Sequence, residues 1–192
     1  MSSLTRSEID PADLAATSRR LAAEIGADHP EGVVLVGMLK GSLYVLADLA
    51  RDLEVDCTVD FLALSAYRPG ASRIKIMKDL DVPVAGKDVV LVKDVVDSGL
   101  STHYALGLVH DRGARSVRVC SLIDRPQRRI IPIDVDYVGY EAGEEFLVGY
   151  GLDIGGHYRN LRGVHVVDPA ALAEDPHPFE ASVYPGRMSG SG

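Results

Sequence analysis

Residues 88–113 read DVVLVKDVVDSGLSTHYALGLVHDRG, and this stretch alone holds a strand, a turn and a helix. Positions 88–96 form a short, nearly continuous β-branched run, the pattern of a strand buried on both faces. The small residues of DSG break it. Helical spacing then resumes in STHYALGLVHDRG and stops at Gly113. The next run, SVRVCSLID (116–124), is again strand-like. A buried strand, a crossover helix and a second buried strand make a parallel pair with a right-handed connection.

The same alternation continues outward. GVVLVGML (32–39) reads as a strand, SLYVLADLARDL (42–53) as a helix and EVDCTVDFLALSAY (54–67) as a strand. A turn and a short strand are expected within 67–80, and further strands in VDYVGYE (135–141) and RGVHVVDP (162–169). Residues 6–26 spell a first helix, with Ser7 or Asp10 as cap and Pro11 in the first turn. The chain is therefore expected to be α/β, a mainly parallel sheet flanked by helices. In such sheets ligands bind beyond the carboxyl ends of the strands.

At 192 residues the chain fits one domain with a full core, expected over 1–170. Residues 171–192 form a C-terminal extension whose end, YPGRMSGSG, is expected to be disordered. A formal net charge of -8 opposes general binding of nucleic acid. The polar N-terminus lacks the apolar core of a signal peptide, and no apolar run approaches the ~20 residues of a membrane span. A cytoplasmic protein is the expectation. Cys57 and Cys120 each sit in an apolar stretch and are read as buried free thiols. No Cys/His spacing suggests zinc. No phosphate-loop NTPase motif is present, and the glycines of GYGLDIGG (149–156) are out of register for a dinucleotide fingerprint.

If a helix begins near Ser101, DSGLST makes an anion cradle. Backbone N–H groups and the helix dipole face outward, Gly99 lets the backbone come close, and Ser98, Ser101 and Thr102 add hydroxyl donors. The bland alternative, an ordinary helix cap, is as good a reading of the turn by itself. Asp94 and Asp97 repel phosphate and suit hydroxyls, magnesium or a proton. A phosphorylated sugar needs both kinds of group side by side.

VVLVKDVVDSGLST (89–102) resembles the phosphoribosyl-diphosphate (PRPP) signature of type I phosphoribosyltransferases. LVGMLKGSLYVLADLAR (35–51), VDFLALSAY (59–67), KDLDVPVAGKDVVLV (78–92), VDYVGYEAGEEFLVGYGLD (135–153) and YRNL (158–161) are similar to the hypoxanthine-guanine branch. The resemblance runs in order from about Val34 to Leu161. It implies the type I fold, a twisted and mainly parallel sheet with a small hood formed by the N- and C-terminal segments. It also implies transfer of 5-phosphoribosyl from PRPP to hypoxanthine or guanine, giving IMP or GMP and pyrophosphate, with Mg²⁺ as cofactor.

Carried over by residue, the resemblance assigns the 5′-phosphate to Ser98, Gly99, Leu100, Ser101 and Thr102, and the ribose hydroxyls to Asp94. Asp97 would exchange a proton with purine N7. Leu39, Lys40 and Gly41 would bind pyrophosphate through their amides, across a non-proline cis peptide, with Arg159 reaching the same group. Phe146 would stack on the base, Leu147 would touch its edge by its backbone, and Arg125 would donate to its 6-substituent. Asp153 would lie near the 2-position and bind magnesium, Asp94 being the second carboxylate for the metal. Tyr67 belongs to the family's mobile loop. Relatives form dimers and tetramers, so a homodimer or homotetramer is implied.

Three positions depart from the pattern. Lys93 stands where the family has an acid, Ala66 where a serine precedes the loop tyrosine, and Arg125 where a lysine faces the base. The loop itself, RPGASRIK, is short. These changes raise two alternatives: an enzyme for a modified purine such as a 7-deazapurine, and a non-catalytic PRPP-sensing regulator.

Overall fold

The computed structural model describes residues 7–65, 74–168 and 170. The C-terminal extension and the loop carrying Ala66 and Tyr67 lie outside them. The chain divides into two compact units, one made of Ala15–Gly143 and the other of the segments up to Leu14 and from Glu144 onward.

The larger unit is built on a six-stranded sheet in the order β4-β3-β2-β5-β6-β7. Its strands are β2 (Val33–Met38), β3 (Cys57–Leu64), β4 (Ile76–Lys78), β5 (Asp88–Val96), β6 (Ser116–Asp124) and β7 (Tyr137–Glu141). All neighbours are parallel except the β3–β4 pair. Two helices cross over it, α2 (Leu43–Asp52) and α3 (Leu100–Asp111). All six residues of β2 are buried, and Val89 to Val92 of β5 have no exposed surface. Strand alternation divides these side chains between two layers. Val34, Val36 and Met38 pack with Val89, Leu91 and the α3 residues Ala105 and Val109. On the other face a Cβ at Gly37 would meet Leu46 of α2 at 2.6 Å, so a glycine is what lets this helix lie close.

The first helix, α1 (Pro11–Asp28), starts later than the sequence predicts. Asp10 is its cap, its Oδ1 accepting from the amides of Ala12 (2.8 Å) and Asp13 (3.0 Å). Ser7 instead belongs to a strand, β1 (Ser7–Ile9). The helix also continues past Gly26 by two residues. In the smaller unit β1 pairs with β9 (Val164–Val167), which pairs in turn with β8 (Phe146–Val148), both antiparallel.

Both cysteines are free. Cys120 is buried, and that burial pushes its thiol up to about 12, while Cys57 is half-buried. At the amino edge of the sheet Asp88 accepts from Arg115 and from Ser116 Oγ (2.7 Å), and lies 3.6 Å from Nδ1 of the buried His29. Those two donors hold its carboxyl far below the usual carboxylate range.

Candidate active site

The sheet order opens a crevice. From β2 the chain crosses over to β3 on one side, and from β5 it crosses to β6 on the other, yet β2 and β5 are neighbours. The loops that leave their carboxyl ends, residues 39–42 and 97–99, therefore diverge toward opposite faces of the sheet. Such a reversal is where ligands bind in open α/β sheets.

After β2, the Leu39 amide donates to Leu62 O (3.0 Å), and buried Ser42 returns its hydroxyl to Met38 O (2.9 Å). These bonds tie down both ends of a tight loop whose Lys40 side chain is exposed. The Leu39–Lys40 peptide is cis. Gly41 is buried against Asp94 of β5, so closely that a Cβ there would fall 1.5 Å from Asp94 Oδ2. Asp94 Oδ1 accepts from the Val95 amide (2.9 Å). The loop after β2 and the acid on β5 are thus in direct contact.

After β5 comes the turn from Asp97 to Gly99, with Gly99 at φ +84° as the residue before α3. The first helical bond runs from His103 N to Gly99 O (2.8 Å). Among the described residues, no acceptor takes a hydrogen bond from the amides of Asp97 through Thr102. Six consecutive donors are therefore available, with half-buried Ser98 and Ser101 beside them.

Lys93 lies half-buried near the end of β5, in register with Ser121, and makes no ion pair among the described residues. By alternation it shares the α3 face with Leu91, whereas Asp94 lies on the α2 face. Arg125 is buried, 7% exposed, and its amide donates to Val96 O (3.1 Å).

Two further arginines at the site have no counterpart in any motif. Arg128 Nε sits 2.9 Å from Asp97 Oδ1, an ion-pair contact without an aligned hydrogen bond. Arg129 is paired through Nη2 with Asp124, both 11% exposed. Its Nη1 donates to Val96 O (2.6 Å) and Asp97 O (2.7 Å). The only sequence signal is the doubled arginine of RPQRR beyond a strand end.

The remaining sequence candidates belong to the smaller unit. Phe146 opens β8 with 38% exposure, while Leu147 is buried. A chain reversal follows, with Gly149, Tyr150 and Gly151 all at positive φ. Its closure brings Arg159 Nη2 to 2.6 Å from Asp153 Oδ1, and Asp153 Oδ2 accepts from Gly156 N (2.7 Å). Arg159 also donates to Gly151 O. Asp153 and Arg159 are thus direct partners.

Residues 6–154 match the family model described as a phosphoribosyl transferase domain. The hypoxanthine-guanine phosphoribosyltransferase of Streptococcus agalactiae is 37% identical over 159 residues, covering 81% of this chain and 88% of that one. The hypoxanthine phosphoribosyltransferase of Escherichia coli is 40% identical over 137 residues, 70% and 77% of the two chains. A crystal structure of a Bacillus anthracis hypoxanthine-guanine phosphoribosyltransferase superposes with a TM-score of 0.82 at 34% identity, covering 85% of this chain and 99% of that one.

Proposed function

The chain belongs to the phosphoribosyltransferase family, on its hypoxanthine-guanine branch, and from that premise we propose how its residues carry out the reaction. It is a pentosyltransferase acting on a purine. The C1–O bond to pyrophosphate in PRPP breaks, and a bond from C1 to a ring nitrogen of hypoxanthine or guanine forms. The observation that carries this reading is the junction of Gly41 with Asp94 at the sheet reversal, one turn away from six available amides. A phosphate, a ribose and a leaving group fit that sequence of donors and acids.

The 5′-phosphate is held by the turn from Ser98 through Leu100 to Thr102, where the amides and the start of α3 face an anion. Asp94 accepts from the ribose hydroxyls. Leu39, Lys40 and Gly41 receive the pyrophosphate, with Arg159 as a further cation. Phe146 stacks on the base, the Leu147 backbone meets its edge, and Arg125 donates to its 6-oxygen as a planar fork. Asp97 takes the proton that the purine releases as its nitrogen attacks C1, so charge does not build on the ring.

Among the described residues there is no cluster of three or more metal-ligating side chains. Mg²⁺ draws most of its ligands from substrate oxygens and water, so one carboxylate at a position is enough for it, and Asp94 and Asp153 are the residues that would each supply one. When bound, it offsets charge on the departing pyrophosphate.

Among the described residues no helix is long and apolar enough to cross a membrane. A cytoplasmic homo-oligomer, dimeric or tetrameric, completes the reading. A base panel with PRPP and Mg²⁺, followed by chromatography of the nucleotides, tests it. IMP and GMP are expected as the main products. Better turnover of 7-deazapurines than of hypoxanthine, or PRPP binding with no pyrophosphate released for any base, would overturn it.

A further inference from the structure

Three successive carbonyls of the phosphate turn are captured from one side. Val96 O accepts from Arg129 Nη1 (2.6 Å) and from the Arg125 amide (3.1 Å). Asp97 O accepts from the same Arg129 Nη1 (2.7 Å). Ser98 O accepts from the amides of Ile130 (2.9 Å) and Ile131 (3.1 Å). None of the three peptides is cis, and in a trans peptide unit the C=O and the following N–H point in opposite directions. Drawing these carbonyls toward residues 125–131 therefore turns the amides of Asp97, Ser98 and Gly99 the other way, out to where α3 begins. The packing is close: a Cβ at Gly99 would lie 2.6 Å from Ile131 O and 3.6 Å from Arg129 Cδ.

Arg129 is the side chain in this contact, and it is itself fixed. Its guanidinium is almost buried, with Asp124 on Nη2 and two turn carbonyls, plus the Arg125 carbonyl at 3.3 Å, on Nη1. Only a planar fork spans a carboxylate and a row of carbonyls at once; an ammonium is a single point of charge. Asp124 closes β6 in register with Val96, so the clamp joins the two strand ends that frame the turn.

We propose that Arg129, held by Asp124, is a positioning residue for the 5′-phosphate: it orients the peptide planes whose amides bind that group, and touches no substrate itself. This rests on the assignment of the phosphate to the turn from Ser98 to Thr102. It separates two anion sites that the reaction uses together. Loss of Arg129 weakens the 5′-phosphate site and spares the pyrophosphate loop at Lys40 and Gly41.

Titration calorimetry of the full chain with ribose 5-phosphate, and separately with pyrophosphate and magnesium, tests this. Arg129→Lys is expected to weaken ribose 5-phosphate at least 10-fold and pyrophosphate less than 2-fold. KM for PRPP should rise by a similar factor to the ribose 5-phosphate loss, with KM for the base unchanged within 2-fold. Asp124→Asn, which keeps an acceptor on Nη2 but removes the charge, is expected to give a smaller loss in the same direction. It carries the test if circular dichroism shows Arg129→Lys to be unfolded. Wild-type affinity for ribose 5-phosphate in a folded variant, or equal loss of both ligands, overturns the proposal. Failure of the wild-type chain to bind ribose 5-phosphate overturns the site assignment beneath it.

Discussion

Gly41→Ala places one methyl group at the junction of the loop after β2 with β5. The added Cβ would lie 1.5 Å from Asp94 Oδ2, 2.3 Å from its Cγ and 3.1 Å from its Cβ. Relief to ordinary contact requires a displacement of about 2 Å, either of the carboxylate or of the loop. Asp94 lies within β5, whose core is fully buried, so its backbone is the stiffer partner. Its side chain rotates away, or the loop from Leu39 backs off; either way the acid proposed for ribose and the amides proposed for pyrophosphate lose their register. Misplacement of about 1 Å can cost roughly 100-fold in rate, which corresponds to about 2.7 kcal/mol of transition-state stabilisation. The loss in folding stability should stay within about 1–3 kcal/mol, the usual range for overpacking. The assay is kcat/KM for PRPP at saturating hypoxanthine, with thermal melting alongside. Combining Gly41→Ala with Asp94→Ala removes the two shortest contacts and leaves only the 3.1 Å approach to the Cβ of residue 94, so the double variant should be little worse than Asp94→Ala alone. A Gly41→Ala enzyme within threefold of wild type in kcat/KM, or fully additive effects in the double variant, would refute the reasoning.

Asp97→Asn should lower kcat by about 10²–10⁴-fold while PRPP binding by calorimetry changes little, because the amide cannot take the proton, although the charge opposite Arg128 is lost with it. Unchanged turnover would take Asp97 out of that role. Lys93→Glu should leave the melting temperature within about 2 °C, since Lys93 makes no ion pair among the described residues, and lower kcat/KM for PRPP; unaltered kinetics would mark the lysine as a tolerated replacement. Asp88→Asn concerns stability alone. The Asp88 carboxyl is depressed in the folded state by Arg115 and Ser116, so its contribution is present above the unfolded carboxylate value near 3.9 and is lost as pH falls below it. Urea titrations should show a loss of about 1–2 kcal/mol at pH 7 and a flatter pH dependence below about pH 4. An equal loss at pH 2 and pH 7 would contradict the assigned cause.

The strands that build the site were legible because they are buried on both faces. β5 and β6 begin and end where their apolar runs do, at Asp88–Val96 and Ser116–Asp124. β1 and β8 were not, because three residues carry no period, and Ser7 offers the same chemistry as a cap and as a strand residue. Asp10 settles that choice by its bonds to Ala12 and Asp13. The turn from Asp97 to Thr102 was readable locally as a helix start with exposed donors, and the LKG loop was singled out only by the family resemblance. The clamp was not: Arg129 is 32 residues from the Asp97 carbonyl it holds, and the contact of Gly41 with Asp94 joins positions that only strand pairing makes neighbours.

The divergence of the chain between β2 and β5 has an evolutionary meaning. The opening there is produced by the routing of the backbone, not by any one side chain. What a member of such a lineage grips is therefore free to drift while the vessel stays the same. The cation at Lys93 and the guanidinium at Arg125 are such contents, inside a container that six strands maintain.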